Sequence, residues 1–470
     1  MKRINDISME PGSYRDANGR IFYFRDGIYR GLSEKSFDDW KKLSSTNLFS
    51  RSVEEGKIVG TELVDPKNSS IPGEFVRNWA AILKHQTIPF ISYPYEWSFN
   101  MLKDAALLHI ELLTGALDEE MILKDSSSFN VQWLGTSPIF IDITSFAKLS
   151  PGEAWVGYRQ FCQLFLYPLL LQSYKDVNYH PWLRGDIDGI APVQMLNLMS
   201  IRDFFRPGIL AHVFLLAKMQ KTYGDSNMDV RTELRNAGFG KDLIKNNVKR
   251  IQKLVRNLEW KCSKSEWSHY MNAHGYSELD ISWKVGFVRD VLRTRNWRLV
   301  WDIGCNTGSI SKIAAKNAEF VVAMDSDHLA VDMLYRSLKE ERIENLLPLV
   351  MNIVDSSPSL GWRGKERKTL SGRGNPDLII CFALIHHIVI GANIPLREFV
   401  QWLADFHASI LIEFVTKDDP MVRKLLWNKE DQCHDYDVTH FEKYLKEHFI
   451  IRCQKVLESK TRTLYFAERN

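Results

Sequence analysis

Residues 299–308 read Leu-Val-Trp-Asp-Ile-Gly-Cys-Asn-Thr-Gly. An apolar strand runs into a loop with Gly304 and Gly308, and a helical pattern follows. Glycines at such a turn let the backbone approach a ligand closely, and the start of the helix favours negative charge. A second apolar run, FVVAMD at 320–325, ends in Asp325, 21 residues after Gly304. A carboxylate there can accept hydrogen bonds from ribose hydroxyls. A dinucleotide site is the rival reading, and it asks for G-x-G-x-x-G. This loop is G-x-x-x-G, with Asn306 where a second glycine would admit a pyrophosphate. A nucleoside ligand without a pyrophosphate fits better.

Outward from that loop, strand-like and helical runs alternate. RLVWDIG, FVVAMD, LPLVMNIVD, DLIICFAL and SILIEFV are the strand candidates, each of the first four followed by a helix or loop. This rhythm predicts βαβ units and a parallel sheet with helices on both faces. FIIRCQKVL and RTLYFA, joined through Glu458-Ser459-Lys460, predict an antiparallel hairpin at the sheet edge.

The 299–308 segment resembles motif I of class I S-adenosylmethionine-dependent methyltransferases, and the resemblance covers about 275–470. It implies a Rossmann-like α/β domain with S-adenosyl-L-methionine as cofactor. Gly304, Asn306 and Gly308 would cradle the methionine part, and Asp302 would stand near its ammonium group. Asp325 would hold the ribose. Asp355 would accept from the adenine amine, with Asn352 or Ile353 beside it. Tyr276 and Lys284, on a helix before the first strand, would touch the cofactor. A sulfonium cation already makes the methyl group electrophilic, so the protein must align a nucleophile and remove its proton. His386 and His387, at the C-terminal end of the fourth strand (376–387), are suited to that task. His386 is favoured because it still belongs to the apolar strand run; Glu413, at the end of the fifth strand, is the weaker candidate. No N/D-P-P-Y-type tetrapeptide follows the fourth strand, which disfavours amino methylation of a DNA base.

The remainder of the chain bounds the function. Its 470 residues are 45% hydrophobic and 25% charged, which excludes a mostly disordered protein. Net charge is +3, which gives no bulk case for nucleic acid or membrane as partner. Cys162, Cys262, Cys305, Cys381, Cys433 and Cys453 form no C-x-x-C pair, so no structural metal site is expected and a cytoplasmic location fits. RIFYFRDGIYRGL at 20–32 predicts a hairpin with an Asp26-Gly27 turn, and 58–64 another strand. Met101, Ala105, Leu108 and Leu112 mark a helix over 97–113, and 153–220 reads as a buried helical region. Ile244, Val248, Ile251, Val255 and Leu258 form the apolar stripe of a basic helix at 241–259, taken as a connector. The loop 361–375 carries Arg363, Lys365, Arg367, Lys368 and Arg373 against Glu366 alone. It reads as a solvated insertion, with attraction of an anionic substrate as the alternative.

Asp125 and Asn130 have D-x-x-x-x-N spacing, and Asp142 follows at the end of a short apolar run. In phosphoryl transfer such an aspartate orients the hydroxyl, while the asparagine and the later aspartate hold magnesium. The segment resembles the catalytic core of kinases and aminoglycoside-type phosphotransferases. It departs from that pattern at Lys124 before the first aspartate and at Ile143-Thr144 after Asp142. The runs SYPYEWSFNMLKDAALLHIELL (92–113) and KDSSSFNVQWLGTSPIFIDITSF (124–146) carry a further likeness. With them, the whole chain resembles the rhizobial host-specificity nodulation protein class.

These readings divide the chain into an N-terminal α+β, kinase-like domain (1–222), a helical connector (223–270) and a methyltransferase domain (271–470). The expected activity is methyl transfer to a small-molecule or glycan acceptor that the N-terminal domain binds or presents. The alternatives are a kinase-like phosphotransferase fused to a methyltransferase domain, and a non-catalytic binding protein.

Overall fold

The structure is a computed structural model. It describes residues 7–65, 70–150, 152, 154–223, 240–262, 265, 277–427 and 432–470. The chain falls into two compact units. The first comprises residues 1–133, 137–261 and 359–367; the second comprises 134–136, 262–358 and 368–470.

The first unit opens with a five-stranded antiparallel sheet. Its strands are β1 (Ile7–Met9), β2 (Gly19–Phe24), β3 (Gly27–Leu32), β4 (Thr61–Leu63) and β5 (Ala81–His85), in spatial order β1-β2-β3-β5-β4. The expected hairpin is present, but its turn is Arg25-Asp26 rather than Asp26-Gly27, because Gly27 is already paired opposite Phe24 as the first residue of β3. Arg25 takes the positive φ (52°) that so tight a turn demands. Helix Phe99–Asp118 follows, begun by the Ser98 hydroxyl, which accepts the Met101 N–H at 3.5 Å. Its apolar positions are buried on most sides, including Met101, Leu102, Ala105, Leu108 and Leu112. Short strands β6 (Met121–Leu123), β7 (Val131–Leu134), β8 (Ser137–Phe140) and β9 (Phe146–Lys148) pair as β6-β9 and β7-β8. Residues 154–220 are largely helical, broken into short pieces, but they are not buried throughout: Ile201, Phe205 and Leu210 are exposed.

The helix predicted at 241–259 spans Lys241–Asn257. It is not a free connector. Ile244, Val248, Ile251, Val255 and Leu258 are buried, and the helix packs on Phe99–Asp118 within the first unit. Packing removes that apolar stripe from water while most of the basic face stays outward. Lys245 pairs with Asp118, Lys241 with Glu120, and Lys103 donates to the Leu258 carbonyl at 2.8 Å.

The second unit is built on one seven-stranded sheet. β10 (Trp297–Ile303), β11 (Ala318–Asp325), β12 (Leu346–Val350), β13 (Leu378–Cys381) and β14 (Ser409–Val415) run parallel. β15 (Phe449–Val456) and β16 (Arg462–Arg469) form the predicted hairpin, with β16 antiparallel to both β14 and β15. The order is β12-β11-β10-β13-β14-β16-β15. β12, β13 and β14 are buried at every residue, which is why their sequences are unbroken apolar runs rather than alternating ones. Chain order reverses between β10 and β13. In an open α/β sheet the crevice for a ligand lies there, beyond the carboxyl ends of the strands. No helix among the described residues is long and apolar enough to cross a membrane.

Candidate cofactor site

β10 ends because the chain turns back sharply. Gly304, Asn306 and Gly308 all have positive φ, at 78°, 51° and 78°. Gly304 and Cys305 both donate to the Met324 carbonyl, at 2.8 and 3.1 Å, which ties the loop to β11. Gly308 donates to the Cys305 carbonyl at 2.9 Å and closes the turn. A Cβ on Gly308 would lie 2.4 Å from Leu334 Cδ1, so a side chain there would have to displace that leucine as well as hold a positive φ.

The turn delivers its backbone to Asp325. Asp325 Oδ2 accepts the Asn306 N–H at 2.7 Å, and Oδ1 accepts the Asp327 N–H at 2.9 Å. Burial raises its carboxyl above the usual range. Asp325 lines a cavity of about 280 Å³ together with Gly304, Ser326, Met351, Asn352, Ile353, Val354, Leu384, His387 and Ile388. That volume is near the lower end of small-molecule sites. Asn352 Oδ1 accepts the Val354 N–H at 3.1 Å and holds a short turn, Ile353–Asp355, across one wall. The turn presents Ile353 and Val354 to the cavity. Asp355 is exposed and is not among the lining residues, contrary to the adenine-binding role expected of it. Asp302 is buried beneath the loop and accepts the Ser311 hydroxyl at 2.5 Å. Burial pushes its carboxyl up to about 6, against the pull of Ser311 and Lys284.

The histidines depart from expectation. β13 stops at Cys381, so His386 does not extend the strand; both histidines stand on the helical turn after it. Successive side chains on such a turn point about 100° apart. His387 lines the cavity, whereas His386 is fully buried, and neither His386 ring nitrogen has a hydrogen-bond partner among the described residues. Burial lowers both imidazoles, His387 to about 4, so each is neutral near pH 7. His387, not His386, has access to a ligand.

Tyr276 lies outside the described residues. Lys284 does not line the cavity. Its ammonium donates to Glu413 Oε2 at 3.0 Å and sits 4.7 Å from the Phe382 ring centroid. Burial lowers its pKa, while Glu413 pushes it back up. Glu413 is fully buried and is likewise absent from the cavity wall. The apolar wall, Met351, Val354, Leu384 and Ile388, went unread in the sequence, because apolar residues after a strand look the same whether they face a ligand or a core.

No family model matches the chain. It is 33% identical to the Nodulation protein NoeA of Rhizobium meliloti (strain 1021) over 462 residues, 98% of this chain and 96% of that one. The chain belongs to the NoeA family. Solved structures similar to this NoeA-family chain include the N-methyltransferase NodS from Bradyrhizobium japonicum WM9 in complex with S-adenosyl-L-homocysteine. There the identity is 11%, the TM-score 0.32, and 44% of this chain and 93% of that one are covered. For the magnesium protoporphyrin IX methyltransferase of Synechocystis PCC 6803 with bound S-adenosyl-L-homocysteine the values are 16%, 0.31, 43% and 91%. For the bifunctional kinase-methyltransferase WbdD they are 15%, 0.30, 41% and 40%. These structural likenesses are too distant to assign any residue.

In the NoeA-family chain the N-terminal constellation does come together. Asn130 Nδ2 donates to Ser145 Oγ at 3.2 Å, and that hydroxyl donates to Asp142 Oδ2 at 2.5 Å. Burial and the charge of Asp142 raise the carboxyl of Asp125, whose Oδ1 accepts the Ser127 N–H at 3.1 Å. Asp142, however, already has its cation. Arg30, from β3, places a guanidinium nitrogen 2.7 Å from Asp142 Oδ1, which also accepts the Thr144 hydroxyl at 2.8 Å. Burial would raise the Asp142 carboxyl, but Arg30 and the two hydroxyls hold it below the usual range. Among the described residues no group of three or more His, Cys, Asp or Glu side chains is placed to hold a metal ion. The 361–375 loop is not simply solvated. Glu366 is buried and bonded by Tyr14 and Arg15, and the Arg367 guanidinium sits 3.8 Å from the Phe129 ring centroid.

Proposed function

We propose that this protein is an S-adenosyl-L-methionine-dependent methyltransferase whose acceptor is a small molecule or glycan. The observation that carries the reading is the left-handed Gly304–Asn306–Gly308 loop, hydrogen-bonded to Asp325 at a cavity beyond the parallel strand ends. Asp325 keeps lone pairs free to accept from vicinal hydroxyls, and Gly304 leaves room for close approach. The residues present therefore fit a nucleoside cofactor. Asp302 is buried beneath the loop and does not line the cavity, so its carboxylate, raised only to about 6, would act on a cationic amino group from behind the wall, through water. The bound cofactor would supply an electrophilic methyl group on a sulfonium. His387 is neutral at pH 7, lines the cavity and is the group to take the acceptor's proton. The N-terminal unit is read as acceptor-binding rather than phosphotransferring, because Arg30 occupies the carboxylate that a metal would need. Incubating the protein and methyl-labelled cofactor with extracts of the source cells, then following label by mass spectrometry, tests the reading. Label transfer abolished by Asp325→Ala is expected. Failure of the wild type to bind S-adenosyl-L-homocysteine would remove it.

A further inference from the structure

Behind the cavity lies a buried row of charges that the reaction itself does not use. Glu413 and Arg462 are fully buried and Asp419 nearly so. Glu413 Oε2 accepts the Lys284 ammonium at 3.0 Å and the Ala383 N–H at 2.8 Å. Its Oε1 lies 3.6 Å from an Arg462 guanidinium nitrogen. Arg462 in turn donates to Asp419 through Nε at 2.7 Å and Nη2 at 3.2 Å. Two cations and two anions balance. Well-packed apolar side chains commonly stabilise a core as well as such a row does, so stability alone does not account for it.

Ala383 supplies a reason. Its φ is 50°, a region that a residue with a Cβ seldom adopts without outside support. It stands between the end of β13 and Leu384, which lines the cavity and is the nearest neighbour of Gly304 Cα's open side. The Leu384 carbonyl accepts the N–H groups of His387 at 2.9 Å and Ile388 at 3.2 Å. The conformation at residue 383 therefore decides where Leu384, His387 and Ile388 meet a ligand. The acceptor that fixes the Ala383 amide is the carboxylate of Glu413.

We propose that Glu413 is a positioning residue of the cofactor cavity: it holds the left-handed turn at Ala383, and so sets Leu384 and His387 against the ligand, while Lys284 and Arg462 neutralise it. This rests on the cavity being the S-adenosyl-L-methionine site. It gives Glu413 and Lys284 a joint role behind the wall, in place of proton abstraction by one and cofactor contact by the other.

The test is calorimetric titration of S-adenosyl-L-homocysteine into the full chain and three variants. Glu413→Gln with Lys284→Met removes both charges but keeps a carbonyl oxygen for the Ala383 N–H. Glu413→Leu with Lys284→Met removes the charges and the acceptor. Ala383→Val leaves the whole row intact and forces residue 383 out of the left-handed region; it keeps the test decisive should the leucine pair not fold. Titrations are run well below each variant's melting temperature. The glutamine pair should bind within about threefold of wild type, while the leucine pair and Ala383→Val should bind about tenfold or more weakly. Equal affinities for the glutamine and leucine pairs, or an unchanged affinity for Ala383→Val, would overturn the positioning role and leave the cofactor reading standing. No binding by wild type would overturn both.

Discussion

Asp325 carries the most weight of any single side chain. Its two oxygens already bind the Asn306 and Asp327 amides, so Asp325→Ala removes a carboxylate from the cavity wall and a loop anchor together. Binding of S-adenosyl-L-homocysteine should weaken by about 1–3 kcal/mol, measured by calorimetry against wild type. The histidines should separate cleanly. His387→Ala should lower methyl transfer by about 10²–10⁴ with cofactor affinity nearly kept. His386→Ala, at a buried site that does not line the cavity, should lower the melting temperature and leave turnover per folded molecule close to wild type. Equal turnover losses in the two variants would contradict the assignment. Asp302 makes a pH prediction. Its folded pKa, about 6, is raised above the unfolded value of about 3.9 by burial. The folded state thus holds the proton more tightly. This contribution to stability is present below about pH 4 and is lost as pH rises through about 6. Asp302→Asn should show a smaller fall in urea midpoint between pH 4 and 6.5 than wild type.

At the scale of elements, the glycine loop and the sheet were legible because each is fixed by local rules. Unbroken apolar runs mean strands buried on both faces, and glycines at strand ends mean positive φ. The prediction here concerns Gly308. Its φ of 78° and a Cβ position 2.4 Å from Leu334 both oppose a side chain. Gly308→Ala should cost about 1–3 kcal/mol in urea unfolding and weaken cofactor binding as well. The turn after β13 was not legible. Whether an apolar run such as IICFALIHHI ends as strand at 381 or at 386 is decided by tertiary partners, and there the deciding partner is a carboxylate 30 residues away. The same limit explains Asp142. Its spacing from Asp125 was plain, but nothing local announces that Arg30, 112 residues earlier, would reach it. ATP with magnesium should therefore leave the melting temperature unchanged; a rise abolished by Asp142→Asn would revive the phosphotransferase alternative.

For the whole molecule, the boundary drawn at residue 222 fails for a physical reason. The stripe Ile244, Val248, Ile251 and Val255 belongs to the first unit's core, so a fragment that stops near 222 leaves its seat on helix Phe99–Asp118 bare. Connectivity carries this further. Segment 359–367, between β12 and β13, belongs to the first unit, anchored there through Glu366 and Arg367. The polypeptide leaves that unit after Lys261 and returns to it nearly a hundred residues later. On the ribosome, domains ordinarily fold in order as they emerge, the N-terminal one first. Here the N-terminal half emerges with the place of Arg367 beside Phe129 unfilled, and that residue follows only after the first three strands of the other half have been made. The N-terminal unit is thus completed out of chain order, and neither half can be exchanged by a single splice.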